Sequence, residues 1–161
     1  VNLALVKPQR SIELEVTYIN TTFEDADALV EIRISAMKES LERIGRFNPQ
    51  RARERFISSF EPEHTKYIAL NSSIVGFVVV KFKENEVLLD HLYVYPEHQS
   101  KGIGAVVLQS IFSEANLKSL PVTVGALRES ASNRFYQRHG FIKTGESEWD
   151  IYYVRQPEAK L

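Results

Sequence analysis

Apolar and polar residues alternate along residues 12–20, IELEVTYIN, a period of two that predicts a strand with one covered face. The period then changes. Val30, Ile34, Met37, Leu41 and Ile44 recur at steps of four and three, which sets them on one face of a helix. Thr21 stands three residues before Glu24, a capping-box spacing, and Gly45 closes the stretch. Asn48-Pro49 predicts the start of a second helix reaching about Phe60, because proline suits a first helical turn where no N–H is needed.

Three apolar runs follow, KYIAL, IVGFVVVKF and EVLLDHLYVY, separated by NSS and KEN, gaps short enough for antiparallel hairpins. A helix from the glycines at 102 and 104 to about Asn116 comes next, then a strand at 121–126. SASNRFYQRHG reads as a short helix ended by Gly140, and FIKTGE with WDIYYVR as a last strand pair. The order is β α α β β β α β α β β, without internal repeats. It predicts an α/β fold with a mixed, mostly antiparallel central sheet flanked by helices. The domain is expected over 12–155, with 1–11 as a flank and 156–161 as a tail.

Composition narrows the function classes. The chain has 161 residues, enough for one domain with a real core, and no apolar run near the roughly 18 residues of a membrane span. Twenty basic residues face twenty-one acidic ones, so no global field attracts nucleic acid or an anionic membrane, and any anion site must be local. Cysteine is absent, which removes disulfides, thiolate metal sites and a covalent cysteine intermediate, and a reducing cytoplasm fits best. The opening VNLALVKPQR lacks the layout of a secretory signal. His64, His98 and His139 read as surface or turn residues, and no metal is expected.

The stretch PEHQSKGIGAVVLQSIF, residues 96–112, is the most informative. Gly102 and Gly104 stand where a helix begins, so they offer bare backbone N–H groups to an anion, for which diphosphate is the natural ligand. A Rossmann loop would need a third glycine where Val107 stands, and a P-loop needs Gly-Lys-Ser/Thr, which is missing. What remains, Gln99-Ser100-Lys101-Gly102-Ile103-Gly104 after the strand LYVYPEHQ, resembles the acetyl-coenzyme A signature of the GNAT family of N-acetyltransferases, Gln/Arg-x-x-Gly-x-Gly/Ala. A second family feature, Phe-Tyr-x-x-x-Gly-Phe with a nearby Asn, is matched by Asn133, Phe135, Tyr136, Gly140 and Phe141.

The resemblance implies a single-domain GNAT-like fold and acetyl-coenzyme A as co-substrate. It puts Gln99, Ser100, Lys101, Gly102, Ile103, Gly104 and Ala105 at the pyrophosphate. Leu92, Tyr93 and Val94 would lie along the pantetheine arm, with Asn133 on its other wall. Tyr136 is implied as the acid that protonates the departing thiolate. With no cysteine, direct attack by an amine in a ternary complex is favoured. A primary amine resembling lysine's, with a reference pKa of about 10.4, must first lose a proton. Family placement favours Asp90 as the base, with Glu86, His91 or water as alternatives. Strict alternation sets Glu86, Leu88, Asp90, Leu92 and Val94 on one side of their strand, unless a bulge near 93 resets it.

In the family the acceptor enters opposite coenzyme A, here between ERIGRFNPQRARER and GESEWDIYY. Glu146, Glu148 and Asp150 would attract a cationic amine, and Phe47, Trp149 and Tyr152 would line its body. The basic run reads as an exposed helix face rather than a nucleic-acid surface. A homodimer is compatible with the sequence. The reading from another class is a non-catalytic acyl-coenzyme A binding module, which would need neither Tyr136 nor Asn133.

Overall fold

The computed structural model describes residues 14–159. Seven strands, β1 (Val16–Asn20), β2 (Thr65–Leu70), β3 (Ser73–Phe82), β4 (Val87–Val94), β5 (Val122–Leu127), β6 (Ile142–Glu146) and β7 (Asp150–Arg155), form one open sheet in the order β1-β2-β3-β4-β5-β7-β6. Four helices flank it: α1 (Ala26–Arg43), α2 (Pro49–Ser59), α3 (Ile103–Leu117) and α4 (Ser132–Arg138). The element order is the one the alternating periods predict. The flank 1–11 and the first residues of the predicted β1 lie outside the described residues.

Neighbouring strands are antiparallel except β4 and β5, which are parallel and are joined by α3 as the crossover such a pair requires. The β2–β3 turn uses Asn71 and Ser72, both at positive φ, the backbone that a two-residue hairpin demands. Helices α3 and α4 cover one face, where Val107, Leu108, Ile111 and Phe112 pack on Val87, Leu89, Val122 and Val124. Helices α1 and α2 cover the other, with Leu29, Val30, Ile32 and Phe56 against Tyr67, Phe77 and Val79. Covering both faces explains why β3 reads as a continuous apolar run rather than an alternating one.

Two local expectations change. The capping box is Thr22 with Asp25: the Thr22 hydroxyl accepts from the Glu24 N–H, and the Asp25 carboxylate accepts from the Thr22 N–H at 2.8 Å. Thr21 is instead buried, donating its hydroxyl to the Thr65 carbonyl at 2.9 Å and so tying the end of β1 to β2. The apolar stripe of α1 also divides. Its first turns enter the core, whereas Met37 and Leu41 line a cavity.

Candidate active site

β4 pairs with β5 at Val87–Val122, Leu88–Thr123 and Leu89–Val124, and there the ladder ends although both strands continue. The parting coincides with a bulge in β4. Val80 pairs with Leu89 and Val79 with His91, leaving Asp90 as the extra residue. One extra residue inverts parity, so Val87 and Leu89 before the bulge and Leu92 and Val94 after it pack on the α3 side. Tyr93 and Tyr95 go to the α1–α2 side. Strict alternation through 86–94 is therefore corrected: the reset occurs at Asp90, not near 93.

The bulge also decides which backbone groups face the gap. The Tyr95 N–H donates to the Val75 carbonyl at 2.8 Å, so by the antiparallel alternation Tyr93 exchanges its bonds with Phe77. The backbone groups of Leu92 and Val94 point the other way, across the gap towards β5. Tyr93 contributes a side chain instead, its hydroxyl 3.2 Å from His91 Nδ1. Gln99 donates its side-chain amide to the Val94 carbonyl at 2.9 Å, and so commits to β4 a group expected at the anion turn. A slot of about 130 Å³ fills the gap, with Leu92, Val94, Ala126, Ser130 and Tyr136 among its walls.

Helix α3 starts without a side-chain cap, and the N–H groups of residues 100–105 have no acceptor among the described residues. A run of uncommitted donors at a helix start suits a polyanion. The two glycines serve it differently. Gly102 has φ +86°, a left-handed conformation that disfavours any side chain. Gly104 is needed for packing: a Cβ there would stand 2.8 Å from Phe135 Cζ on α4. Lys101 and Ser100 are exposed on the turn, and Ser100 is also left-handed at φ +61°.

The short helix α4 brings the second motif to the gap. Tyr136 is buried on the slot wall, and burial pushes its phenol above its ordinary range. Asn133 is committed internally. Its amide donates to the Leu127 and Ser130 carbonyls at 2.9 and 3.0 Å, and its oxygen accepts from the Tyr153 hydroxyl at 2.8 Å. That gives Asn133 the geometry of a residue that holds the 127–130 loop at the slot's edge.

Across the bulge lies a larger cavity of about 1050 Å³, reaching from the gap to the α1–α2 loop and the β6–β7 hairpin. Asp90, His91 and Tyr93 line both it and the slot. The Asp90 carboxylate lies 3.5 Å from Lys81 Nζ, which also donates to Glu61 at 3.2 Å. Burial opposes the charge on Lys81, but these two carboxylates outweigh it and raise its pKa. His91 moves the other way. Burial lowers it to about 4 despite nearby Asp90, with Arg33 and Lys81 adding to the drop. Glu86 lines neither cavity and lies 3.9 Å from Lys83 at the far end of β4.

Of the acceptor residues expected, Phe47, Trp149, Asp150 and Tyr152 line this cavity, and Glu146 and Glu148 do not. Glu146 is exposed, bound by Lys143 at 2.6 Å and Arg128 at 3.2 Å, whose hydrogen bonds and charges lower its pKa. Sequence reasoning missed the arginines. Arg33, Arg46, Arg51 and Arg55 line the cavity, and the available signal was RFNPQRARER, where Arg51 and Arg55 are one helical turn apart. The turn at 61–64 gathers Glu61, Glu63 and His64, with ligand atoms within 4.8 Å of one another, but Glu61 is already engaged by Lys81.

Residues 62–143 match a family model described as the acetyltransferase (GNAT) domain. The fold is similar to that of the PaiA N-acetyltransferase from Thermoplasma acidophilum in complex with coenzyme A, at 19% identity over 89% of this chain and 99% of that chain, TM-score 0.72. It is also similar to an acetyltransferase from Thermus thermophilus, at 17% identity over 88% and 96%, TM-score 0.68. A third likeness is to the ribosomal-protein-S18-alanine N-acetyltransferase from Escherichia coli, at 16% identity over 90% and 96%, TM-score 0.66. No curated protein sequence matches the chain. At these identities the structures speak for the fold alone. The family model carries the assignment, because its span takes in the bulged strand, the uncapped α3 turn and α4: the chain belongs to the GNAT acetyltransferase family.

Proposed function

We propose that this protein is an acetyl-coenzyme A dependent N-acetyltransferase in which an amine attacks the thioester directly, within a ternary complex. The observation that carries the reading is the meeting of two cavities at the Asp90 bulge, one a narrow slot beside free backbone groups, the other wide enough for an acceptor. The slot, the uncommitted N–H groups of residues 100–105 and left-handed Gly102 fit the pantetheine arm and the pyrophosphate. When bound, acetyl-coenzyme A supplies the acetyl group as an activated thioester.

The rest falls to the chain's own groups. Leu92 offers its backbone N–H and carbonyl to the arm and Val94 its N–H, the Val94 carbonyl being engaged by Gln99, and the Val94 N–H is the donor nearest in kind to an oxyanion contact. Asp90 takes the amine's proton, directly or through a water, and Lys81 holds its carboxylate in place. Burial keeps His91 neutral, so it lacks the negative charge with which Asp90 draws an ammonium group, and Glu86 lines neither cavity. Tyr136 stays protonated because burial raises its pKa. A thiolate with a reference pKa of about 8.5 is less basic than such a phenol, so Tyr136 serves the departing sulfur chiefly as a hydrogen-bond donor.

The test is amine-dependent release of coenzyme A thiol across polyamines, amino sugars, amino acids and peptides, with the acetylated product identified by mass. Coenzyme A binding without thiol release to any amine would make the protein a binding module.

A further inference from the structure

The wide cavity is charged in a way that a purely cationic acceptor does not explain. Arg33 reaches it from α1, Arg46 from the α1–α2 loop, and Arg51 and Arg55 from one face of α2. Among the described residues none of the four forms an ion pair with a carboxylate, whereas Arg43, Arg53, Arg128 and Arg155, which lie outside this cavity, are each paired with one. Only Asp90 and Asp150 oppose them in the lining, and Asp90 is shared with Lys81. His91 adds no charge at neutral pH. The positive end of α2 adds to the field, since Arg51 sits in its first turn.

Like charges lining one concave site without carboxylate partners repel one another, and that cost is offset when an anion enters. Arg33 is held by donating to the Ala52 carbonyl at 3.1 Å, whereas Arg51 and Arg55 make no side-chain hydrogen bond among the described residues. We infer that the acceptor is a small amine carrying a second, anionic group, a carboxylate or a phosphate, which the arginine wall of α1–α2 binds while the amine reaches Asp90 at the bulge. Guanidinium groups suit both anions because their planar forks bind two oxygens at once. The Arg46 guanidinium lies 3.7 Å over the Trp149 ring and ties the α1–α2 loop to the β6–β7 hairpin, two of the cavity's walls, which favours a small molecule over a polypeptide. The inference rests on the acetyltransferase reading for its amine end but not for its anion end.

Trp149 is the only tryptophan, so its fluorescence reports what enters at Arg46. The full chain, alone and with coenzyme A, is titrated with O-phosphoethanolamine, β-alanine, ethanolamine, putrescine and an acidic tripeptide. Calorimetry on the same samples reads binding that leaves the fluorescence unchanged. The phosphate or carboxylate amine should bind at least about tenfold more tightly than ethanolamine or putrescine, and more tightly than the tripeptide, with higher salt weakening the effect. Arg51→Gln/Arg55→Gln should weaken the anionic ligands by about tenfold or more and leave coenzyme A affinity and the circular dichroism spectrum unchanged.

Preference for putrescine, equal affinity for ethanolamine, tighter binding of the tripeptide or no binding of any small anionic amine would overturn the inference. So would an arginine variant that loses coenzyme A instead. Anionic amines that bind without releasing thiol from acetyl-coenzyme A would leave the inference standing and remove the enzymatic reading, so the two fail separately.

Discussion

Gly104→Ala separates the two reasons a glycine can stand at the start of α3. The added Cβ would lie 2.8 Å from Phe135 Cζ and 3.3 Å from its Cε2, well inside van der Waals contact. Phe135 cannot yield freely: its ring stands edge-on to His139 at 4.8 Å and tilted to Tyr136 at 5.4 Å. Overpacking of this kind costs about 1–3 kcal/mol, offset by up to about 1 kcal/mol of helix propensity, so a net loss of roughly 0–3 kcal/mol is expected. Gly104→Val would cost more and mix folding with binding. The clean assay is a double-mutant cycle with Phe135→Leu, read by urea unfolding and by calorimetric coenzyme A affinity. A coupling of about 1–2 kcal/mol should appear, and Gly104→Ala should recover its affinity once Phe135→Leu is also present, because the methyl points at α4 and not out of the turn. A loss of affinity that persists after Phe135 is shortened would refute this, placing the methyl in the path of the phosphates.

Tyr136→Phe should slow single-turnover acetyl transfer by about 10- to 150-fold, the worth of one hydrogen bond to a charged atom, with little change in acceptor binding. An unchanged rate would leave Tyr136 a core aromatic. Asp90→Asn should keep coenzyme A affinity and lose turnover most at pH values where the amine is protonated, and a pH–rate profile overlaying the wild type would move the base elsewhere. His91 should make the fold acid-sensitive. Its pKa is about 4 when folded against about 6.5 unfolded, so its contribution is complete above pH 6.5 and falls as pH drops through 4, by up to about 3 kcal/mol. His91→Gln should flatten that fall in urea unfolding at pH 7 and 4.5; identical slopes would exonerate the imidazole. Asn133→Ala removes donors to Leu127 and Ser130 and the acceptor of Tyr153, so it should cost about 2–4 kcal/mol without ligand. Intact stability with weakened coenzyme A binding would make Asn133 a direct contact instead.

The sequence by itself determined the elements, their order and the family, because each rests on local information. Period two or 3.6 sets strand or helix, Gly45 ends α1, Asn48 caps α2, and the turn 99–104 and the 133–141 motif are contiguous text. What depends on residues distant in the chain was decided only by the tertiary structure. A single bulged residue, visible only in the register of β4 on β3, inverted the strand's parity and selected Leu92 and Val94 over Tyr93 for the gap. Only the fold shows that α4 brings Phe135 onto Gly104 and that β7 brings the Tyr153 hydroxyl to Asn133, giving each a structural role that its motif does not reveal. The arginines are the clearest case. Along the chain Arg33, Arg51 and Arg55 are dilute charges on helix faces and Arg46 one in a loop, and only the packing of α1 and α2 beside the parted strands makes them one wall of one cavity. Charge acts through space, and composition near neutrality does not reveal where it converges.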